Sequence, residues 1–365
     1  MRLNKTLKTV IRVARVLIIK FERMFIMNPN NNIFHYATSE LSQDAILCWL
    51  FSFALKDADN EPALKSCAVD FLKQFVPELK NETDIWLSNE PERQYKFIDI
   101  LLTVNNKYKI IIEDKTYTKE RNDQLNRYSG IVKSDFKNYE VKGVYFKTGF
   151  QSDISTIENS GYIYLGLETI LATIEKYISK TSNEIFLSYY SYLKQWHDDI
   201  EKYKVLPVGE WSYPQINGFY DSLKQKFCDM KSNYGYVPNQ SGGFYGMWFY
   251  NGTYRTHKSA KYELYLQCEF SDGKMKICYK ASSQSNSKIN KEEREFFTWR
   301  KRDKWINLAE NYGFIKPPRV RSGKTATLGI YNFDSYNISY IEMEKILSDA
   351  IESFKQLVKE LDDNP

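Results

Sequence analysis

Apolar positions recur at helical spacing between residues 39 and 75, then run in near-continuous blocks between 95 and 147. That change of period predicts helices followed by buried strands. Ser39 is a good N-cap for a first helix ending near residue 55. Leu41, Ala45 and Cys48 follow at i, i+4 and i+7, and Leu47, Leu50, Phe51 and Ala54 widen the stripe. A second helix is expected over 61–75, stopped by Pro77. Strands are expected over 95–104 and 108–115, joined by the polar turn Asn105-Asn106-Lys107. A helix over 119–132, a strand over 141–147 and helices over 167–179 and 184–203 complete a mixed α/β domain.

Two prolines and a glycine between Leu206 and Pro214 mark a boundary, and the remainder reads as α+β. Strands are predicted over 244–250, 263–270 and 274–280, separated by the turn dipeptides Asn251-Gly252 and Asp272-Gly273. A charged helix over 291–311 and a last helix over 340–361 follow. The expected organisation is therefore an extension at 1–27, an α/β domain at 28–205 and an α+β domain at 206–365. No internal repeat is visible.

Composition narrows the chemistry more than it names it. A net charge of +5 over 365 residues predicts no partner by itself. The excess gathers locally, with 14 basic and 5 acidic residues between Lys274 and Lys324. Five cysteines without C-x-x-C spacing speak against a disulfide scaffold or zinc ribbon and make a reducing cytoplasm the default. Three scattered histidines give poor support to zinc hydrolases and histidine triads. No apolar run reaches the ~18 residues of a membrane span. The first 27 residues hold seven basic residues and one acid. They read either as a basic amphipathic helix or as translation upstream of a start at Met24 or Met27, the second being preferred.

The chemistry gathers on the two central strands. Alternation puts Glu113 and Lys115 on one face of their strand and Ile110, Ile112 and Asp114 on the other. An acid and a lysine ending an all-isoleucine strand must pair or hold a cation if buried. An odd turn at 105–107 sets residue 104 opposite 108, which places Asp99 opposite Glu113. An even turn sets Asp99 beside Ile112 and dissolves the site. Two carboxylates one cross-strand spacing apart suit a hard divalent cation, Mg²⁺ first and Mn²⁺ second. A structural ion pair at a strand end is the competing explanation.

Asp99 followed by Glu113-x-Lys115 resembles the signature of the PD-(D/E)xK nuclease superfamily. The lead-in Phe34-His-Tyr-Ala-Thr-Ser-Glu40 through Asp44 to Trp49-Leu50 resembles an uncharacterised bacterial branch of it. Gln124-Leu-Asn-Arg-Tyr128 resembles the Q-x-x-x-Y motif of its exonuclease-like members. One departure is Ile98 where the name has proline. The resemblance spans about 28–150. It implies a restriction-endonuclease-like α/β/α sandwich with a mixed sheet. It also implies a cation held by Asp99, Glu113 and the main-chain carbonyl of Asp114, with Lys115 orienting or activating water. Glu40 matches the acid aimed at the metal or its waters, and Asp44 lies one turn on. The implied activity is phosphodiester hydrolysis, in DNA before RNA, in bacterial defence or repair.

Gln124 and Tyr128 share a helix face, and with Arg121 they are candidates to hold a phosphate or base edge, while Leu125, Ser129 and Val132 face the core. Tyr145 and Lys147 share a strand face, Lys147 being a phosphate contact or a solvated strand end. In the second half, Trp299-Arg300-Lys301-Arg302-Asp303-Lys304-Trp305 interleaves four bases with tryptophans, and Arg319, Arg321 and Lys324 follow. A nucleic-acid grip and a charged helix with core tryptophans compete there, and a protein partner or homodimer could use the same half. Gly323-Lys324-Thr325 lacks the glycine of a P-loop, and no G-x-S-x-G exists. Against the nuclease stands an inactive nucleic-acid-binding or protein-interaction module on the same fold.

Overall fold

The computed structural model describes residues 31–58, 61–121, 123–239, 242–257, 260–283, 302–318 and 325–363. The expectations for 1–27, Trp299, Arg300, Lys301, Arg319, Arg321 and Lys324 lie outside the described residues. The chain divides into two compact units at 197/198, earlier than the proline-rich segment that sequence favours.

The first unit holds a five-stranded mixed sheet in the order β1 (Glu92–Tyr95), β2 (Ile98–Val104), β3 (Tyr108–Lys115), β4 (Glu140–Lys147), β5 (Tyr162–Gly166). β1, β2 and β3 pair antiparallel, whereas β4 runs parallel to both β3 and β5. Helices α1 (Glu40–Ser52) and α2 (Pro62–Phe75) cover one face, where Phe51, Phe71 and Phe146 form an aromatic chain. Helix α3 (Gln124–Asp135) and the short α4 (Ser155–Asn159) cover the other with Leu125, Tyr128, Val132 and Ile157 on Ile111 and Tyr145. This is the expected α/β/α sandwich with a mixed sheet. Helices α5 (Leu167–Glu175) and α6 (Glu184–Glu201) follow.

Three local departures shape the site. The expected strand over 95–104 is broken by a two-residue hairpin at Lys96 and Phe97, both at positive φ (49° and 71°). That mirror-image turn matches the strand twist and folds β1 back alongside β2. The expected helix over 119–132 begins only at Gln124, leaving 116–121 as a loop over the end of the sheet. Finally, Ser39 caps α1 as expected, but the apolar stripe Leu41–Ala45–Cys48 is not its buried face. Gln43, Asp44 and Ile46 are buried beside the expected Leu47, Leu50, Phe51 and Ala54, whereas Leu41 is 56 % exposed. The helix is rotated so that Gln43 reaches the Asp114 carboxylate at the end of β3 and Asp44 comes within 3.5 Å of Gln94 on β1. Leu50→Ala should therefore cost about 2–5 kcal/mol and Leu41→Ala at most about 0.5 kcal/mol, as equilibrium urea unfolding would show.

The second unit is an antiparallel six-stranded sheet packed with helices, consistent with the α+β expectation. Its order is β10 (Phe314–Ile315), β11 (Thr325–Tyr331), β9 (Lys274–Ser283), β8 (Ala260–Ser271), β7 (Phe244–His257), β6 (Lys231–Val237). Helices α7 (Tyr213–Lys226), α8 (Arg302–Glu310) and α9 (Tyr340–Asp363) accompany it. Asp272 and Gly273, both at positive φ, form the expected tight turn. Asn251-Gly252 does not form a turn. The strand runs on to His257, and the dipeptide falls in a register shift between Tyr250 and Tyr254. An Asn-Gly pair permits a bulge as readily as a hairpin, and pairing with β8 decides between them.

Candidate active site

Register creates the site. Val104 pairs with Tyr108 and Ile100 with Ile112, so the turn is the odd one and Asp99 comes level with Glu113. The Asp99 carboxylate accepts from the Asp114 amide (3.0 Å) and from the Lys115 ammonium (3.3 Å), all through Oδ2. Lys115 Nζ also lies 2.5 Å from Glu113 Oε1, 2.8 Å from the Asp114 carbonyl oxygen and 3.9 Å from Glu40 Oε2. Four oxygens on three elements thus surround one ammonium.

Each oxygen donor is itself held. Glu40, in the first turn of α1, accepts through Oε1 from the Thr116 amide (3.2 Å) and the Thr118 hydroxyl (2.9 Å). Gln124 Nε2 donates to Glu113 Oε1 (2.7 Å) and to the Tyr128 hydroxyl oxygen (3.1 Å). Tyr128 is therefore buried core that steadies Gln124, rather than a free contact for phosphate. Arg121 is exposed ahead of the helix, where its amide donates to Gln124 Oε1 (3.3 Å).

Several groups here escape sequence reasoning. On the opposite face of β3, the buried Asp114 carboxylate accepts from Gln43 Nε2 (2.5 Å), and Gln43 Oε1 accepts from Thr148 (3.1 Å). Gln94, carried by the hairpin, lies 3.5 Å from both Asp44 Oδ2 and Asp99 Oδ1. Only the burial of Gln43 and the fold-back of β1 bring these amides in.

Lys147 is neither a surface phosphate contact nor a solvated strand end. It is 0 % exposed, and its ammonium donates to the Thr118 carbonyl oxygen (2.6 Å). Burial lowers its pKa to about 8, against the pull of Glu40. The unfolded chain binds more protons between about 8 and 10.5, so this group makes stability rise with pH across that window. Lys147→Met is thus expected to melt a few degrees higher at pH 7, with the gap closing toward pH 10.5. Cleavage should fall by about tenfold, because Thr118, which holds Glu40, loses its anchor. Thermal melts at both pH values and rates at pH 7 check this.

The electrostatics favour a cation. Burial, then the neighbouring Asp99, raises Glu113 to about 7, and burial, then Asp99, does the same to Asp44. Burial alone would lower Lys115, but Glu113, Asp99 and Glu40 outweigh it and hold it above its usual range. Lys115 therefore stays an ammonium. Glu113 Oε2 is buried without a hydrogen-bond partner. Two carboxylates and a main-chain carbonyl are the hard oxygen donors that Mg²⁺ or Mn²⁺ accepts, so the residues fit such an ion. Among the described residues no group of three or more His, Cys, Asp or Glu side chains is placed to hold a metal ion, so the candidate set is these two carboxylates and one carbonyl.

In the second unit the described end of the basic segment is turned to its own sheet. Arg302 is 4 % exposed and Trp305 packs edge-on against Tyr262. Arg302 leaves the set of phosphate contacts, whereas Lys304 is exposed. Among the described residues no helix is long and apolar enough to cross a membrane.

Neither the curated proteins nor the solved structures contain a significant match to the chain. A model of the PD-(D/E)XK nuclease superfamily, whose members are generally nucleases that use divalent metals, matches residues 24–206. That span includes every residue around Lys115 described above, and with the register of Asp99 against Glu113 it places the chain in the PD-(D/E)XK nuclease superfamily.

Proposed function

We propose that the protein is a Mg²⁺-dependent nuclease that hydrolyses phosphodiester bonds in DNA with water as nucleophile. The observation that carries this is the convergence of Asp99, Glu113 and the Asp114 carbonyl on the Lys115 ammonium. Asp99, Glu113 and the Asp114 carbonyl would hold the ion, with Mn²⁺ an acceptable substitute. When bound, the ion supplies an acidified water and neutralises charge that builds on the phosphoryl oxygens.

The protein's own groups do the positioning. Lys115, kept charged by its carboxylates, hydrogen-bonds a phosphoryl oxygen or the attacking water and stabilises the added negative charge. Glu40, fixed by Thr116 and Thr118, accepts a hydrogen bond from that water. Gln124, steadied by Tyr128, keeps Glu113 oriented, and Arg121, exposed just ahead of α3, would contact a backbone phosphate. The second unit serves recognition of substrate or of a protein partner, with Arg300, Lys301 and Lys304 as its basic contacts.

The test is incubation of the purified chain with plasmid, linear duplex and single-stranded DNA, and with RNA, in Mg²⁺ or EDTA. Cleavage of DNA in Mg²⁺ that EDTA abolishes is the expected result. Binding of nucleic acid without cleavage in either Mg²⁺ or Mn²⁺ would identify an inactive binding module instead.

A further inference from the structure

Two aromatic side chains stand open beside the centre. Phe97 is 81 % exposed and Tyr117 is 58 % exposed, and each lies two residues from a group of the site, Phe97 from Asp99 and Tyr117 from Lys115. Two trans peptides keep each Cα within ~7.6 Å of its site residue. Asp99 lies near the start of β2 and Lys115 ends the antiparallel β3, so both aromatics belong to the same end of the sheet. They occupy its two sides. Phe97 is in the turn that joins β1 to β2, and Tyr117 is in the loop that leaves β3 and passes over Lys147 at the end of β4.

The fold gains little from either placement. Phe97 has a φ of 71°, a left-handed value that disfavours a bulky side chain, and it buries little apolar surface in return. Strain of this kind gathers at functional sites. The backbone beneath each ring is pinned on both sides. Arg93 Nη2 donates to the Leu41 carbonyl oxygen (3.1 Å), Tyr95 and Lys96 both donate to Asp135 Oδ2 (2.8 and 2.6 Å), and Gln94 lies 3.5 Å from Asp99 Oδ1. Across the site, the Thr116 amide and the Thr118 hydroxyl hold Glu40, and the Thr118 carbonyl oxygen accepts from Lys147. The two rings are thus presented to solvent on a fixed frame, one on either flank of an ammonium suited to phosphate. A nucleotide strand has the matching order of groups, a phosphate with a base on each side.

We infer that Phe97 and Tyr117 are stacking platforms for the two bases that flank the phosphate at Lys115, and that the substrate is single-stranded or frayed DNA. This rests on the nuclease reading for the identity of the ligand. In a duplex each base face is covered by its neighbours, so a protein meets base edges and phosphates. Only an unstacked strand frees the faces for aromatic rings, and that contact tolerates any sequence because every base has a π face. Rings on a fixed frame lose little freedom on binding, which favours affinity. Cleavage beside the platforms then follows the state of the strand rather than its sequence.

The experiment follows the full chain in EDTA by fluorescence anisotropy, with a labelled single strand of about 12 nucleotides and the matching blunt duplex as probes. The single strand should bind at least about tenfold tighter than the duplex. Phe97→Gly and Tyr117→Ala should each weaken the single strand by about tenfold and leave the duplex within about twofold. The salt slope should stay that of the parent, since no phosphate contact is lost. Glycine suits the left-handed position, so Phe97→Gly should melt close to the parent and its lost binding is not unfolding. Phe97→Trp should keep parental affinity, whereas Phe97→Leu, apolar but without a π face, should lose as much as glycine does. With Mg²⁺, Phe97→Gly and Tyr117→Ala should raise KM on single strands by about tenfold. Equal affinity for the two probes, parental affinity in either Phe97→Gly or Tyr117→Ala, or full affinity in Phe97→Leu overturns the platforms. A single-strand preference that the variants abolish, in a chain that cleaves nothing in Mg²⁺ or Mn²⁺, sinks the nuclease reading alone. Cleavage of single strand and duplex at equal rates, unchanged in the variants, sinks the platforms alone.

Discussion

Lys115→Ala is expected to lower phosphodiester cleavage by at least about 10³-fold while leaving divalent-cation affinity within about tenfold of the parent chain. The two readouts separate because an ammonium can donate hydrogen bonds and stabilise charge but cannot ligate a metal. Lys115 places its positive charge among Glu113, Asp99 and Glu40 at distances of 2.5, 3.3 and 3.9 Å. Removing it leaves three carboxylates facing one another, so a cation should bind at least as well as before. The stabilising partner for phosphoryl oxygen or water is lost. Plasmid cleavage and Mn²⁺ calorimetry on the same preparation decide the matter. Cleavage near the parental rate would reduce Lys115 to a structural ion pair at a strand end.

Asp99→Ala should remove both activity and metal binding, with cation affinity down by about 100-fold or more. One carboxylate oxygen here does two jobs. Asp99 Oδ2 accepts the Asp114 amide and the Lys115 ammonium, and so ties β2 to the end of β3 while presenting negative charge to the centre. Alanine loses the tie as well as the charge and is expected to cost about 1–3 kcal/mol of stability. Asp99→Asn separates the two effects, because its amide oxygen can still accept from the Asp114 amide. That variant should melt close to the parent yet bind no Mn²⁺ and cleave nothing. A parental Mn²⁺ isotherm for Asp99→Asn would refute the ligand assignment.

Much of this arrangement follows from local rules. The Asn105-Asn106-Lys107 turn and the alternation of β3 are short-range properties, and together they bring Asp99 level with Glu113 and set Lys115 beside it. Ser39 as a cap, and hence the place of Glu40 in the first turn of α1, is equally local. By contrast, which face of α1 is buried depends on what lies beneath it. Hydropathy favoured Leu41 and Cys48 beside Leu47, Leu50 and Phe51, whereas Gln43 is buried because the Asp114 carboxylate on the sheet supplies a partner.

Tyr128 and Lys147 teach the same lesson from the other side. A tyrosine i+4 from a glutamine looks like a second contact for substrate, yet α3 is turned so that its ring enters the core and only its hydroxyl reaches Gln124. A lysine ending a strand looks solvated until the 116–121 loop covers it and offers the Thr118 carbonyl. The sequence by itself determined which residues, Asp99, Glu113 and Lys115, an odd turn would bring together, because strand period acts over a few residues, and the pairing of Val104 with Tyr108 supplies that turn. Only the tertiary structure decided which amides and acids surround that triad, since helix rotation and loop placement are set by partners distant in the chain and invisible to local periodicity.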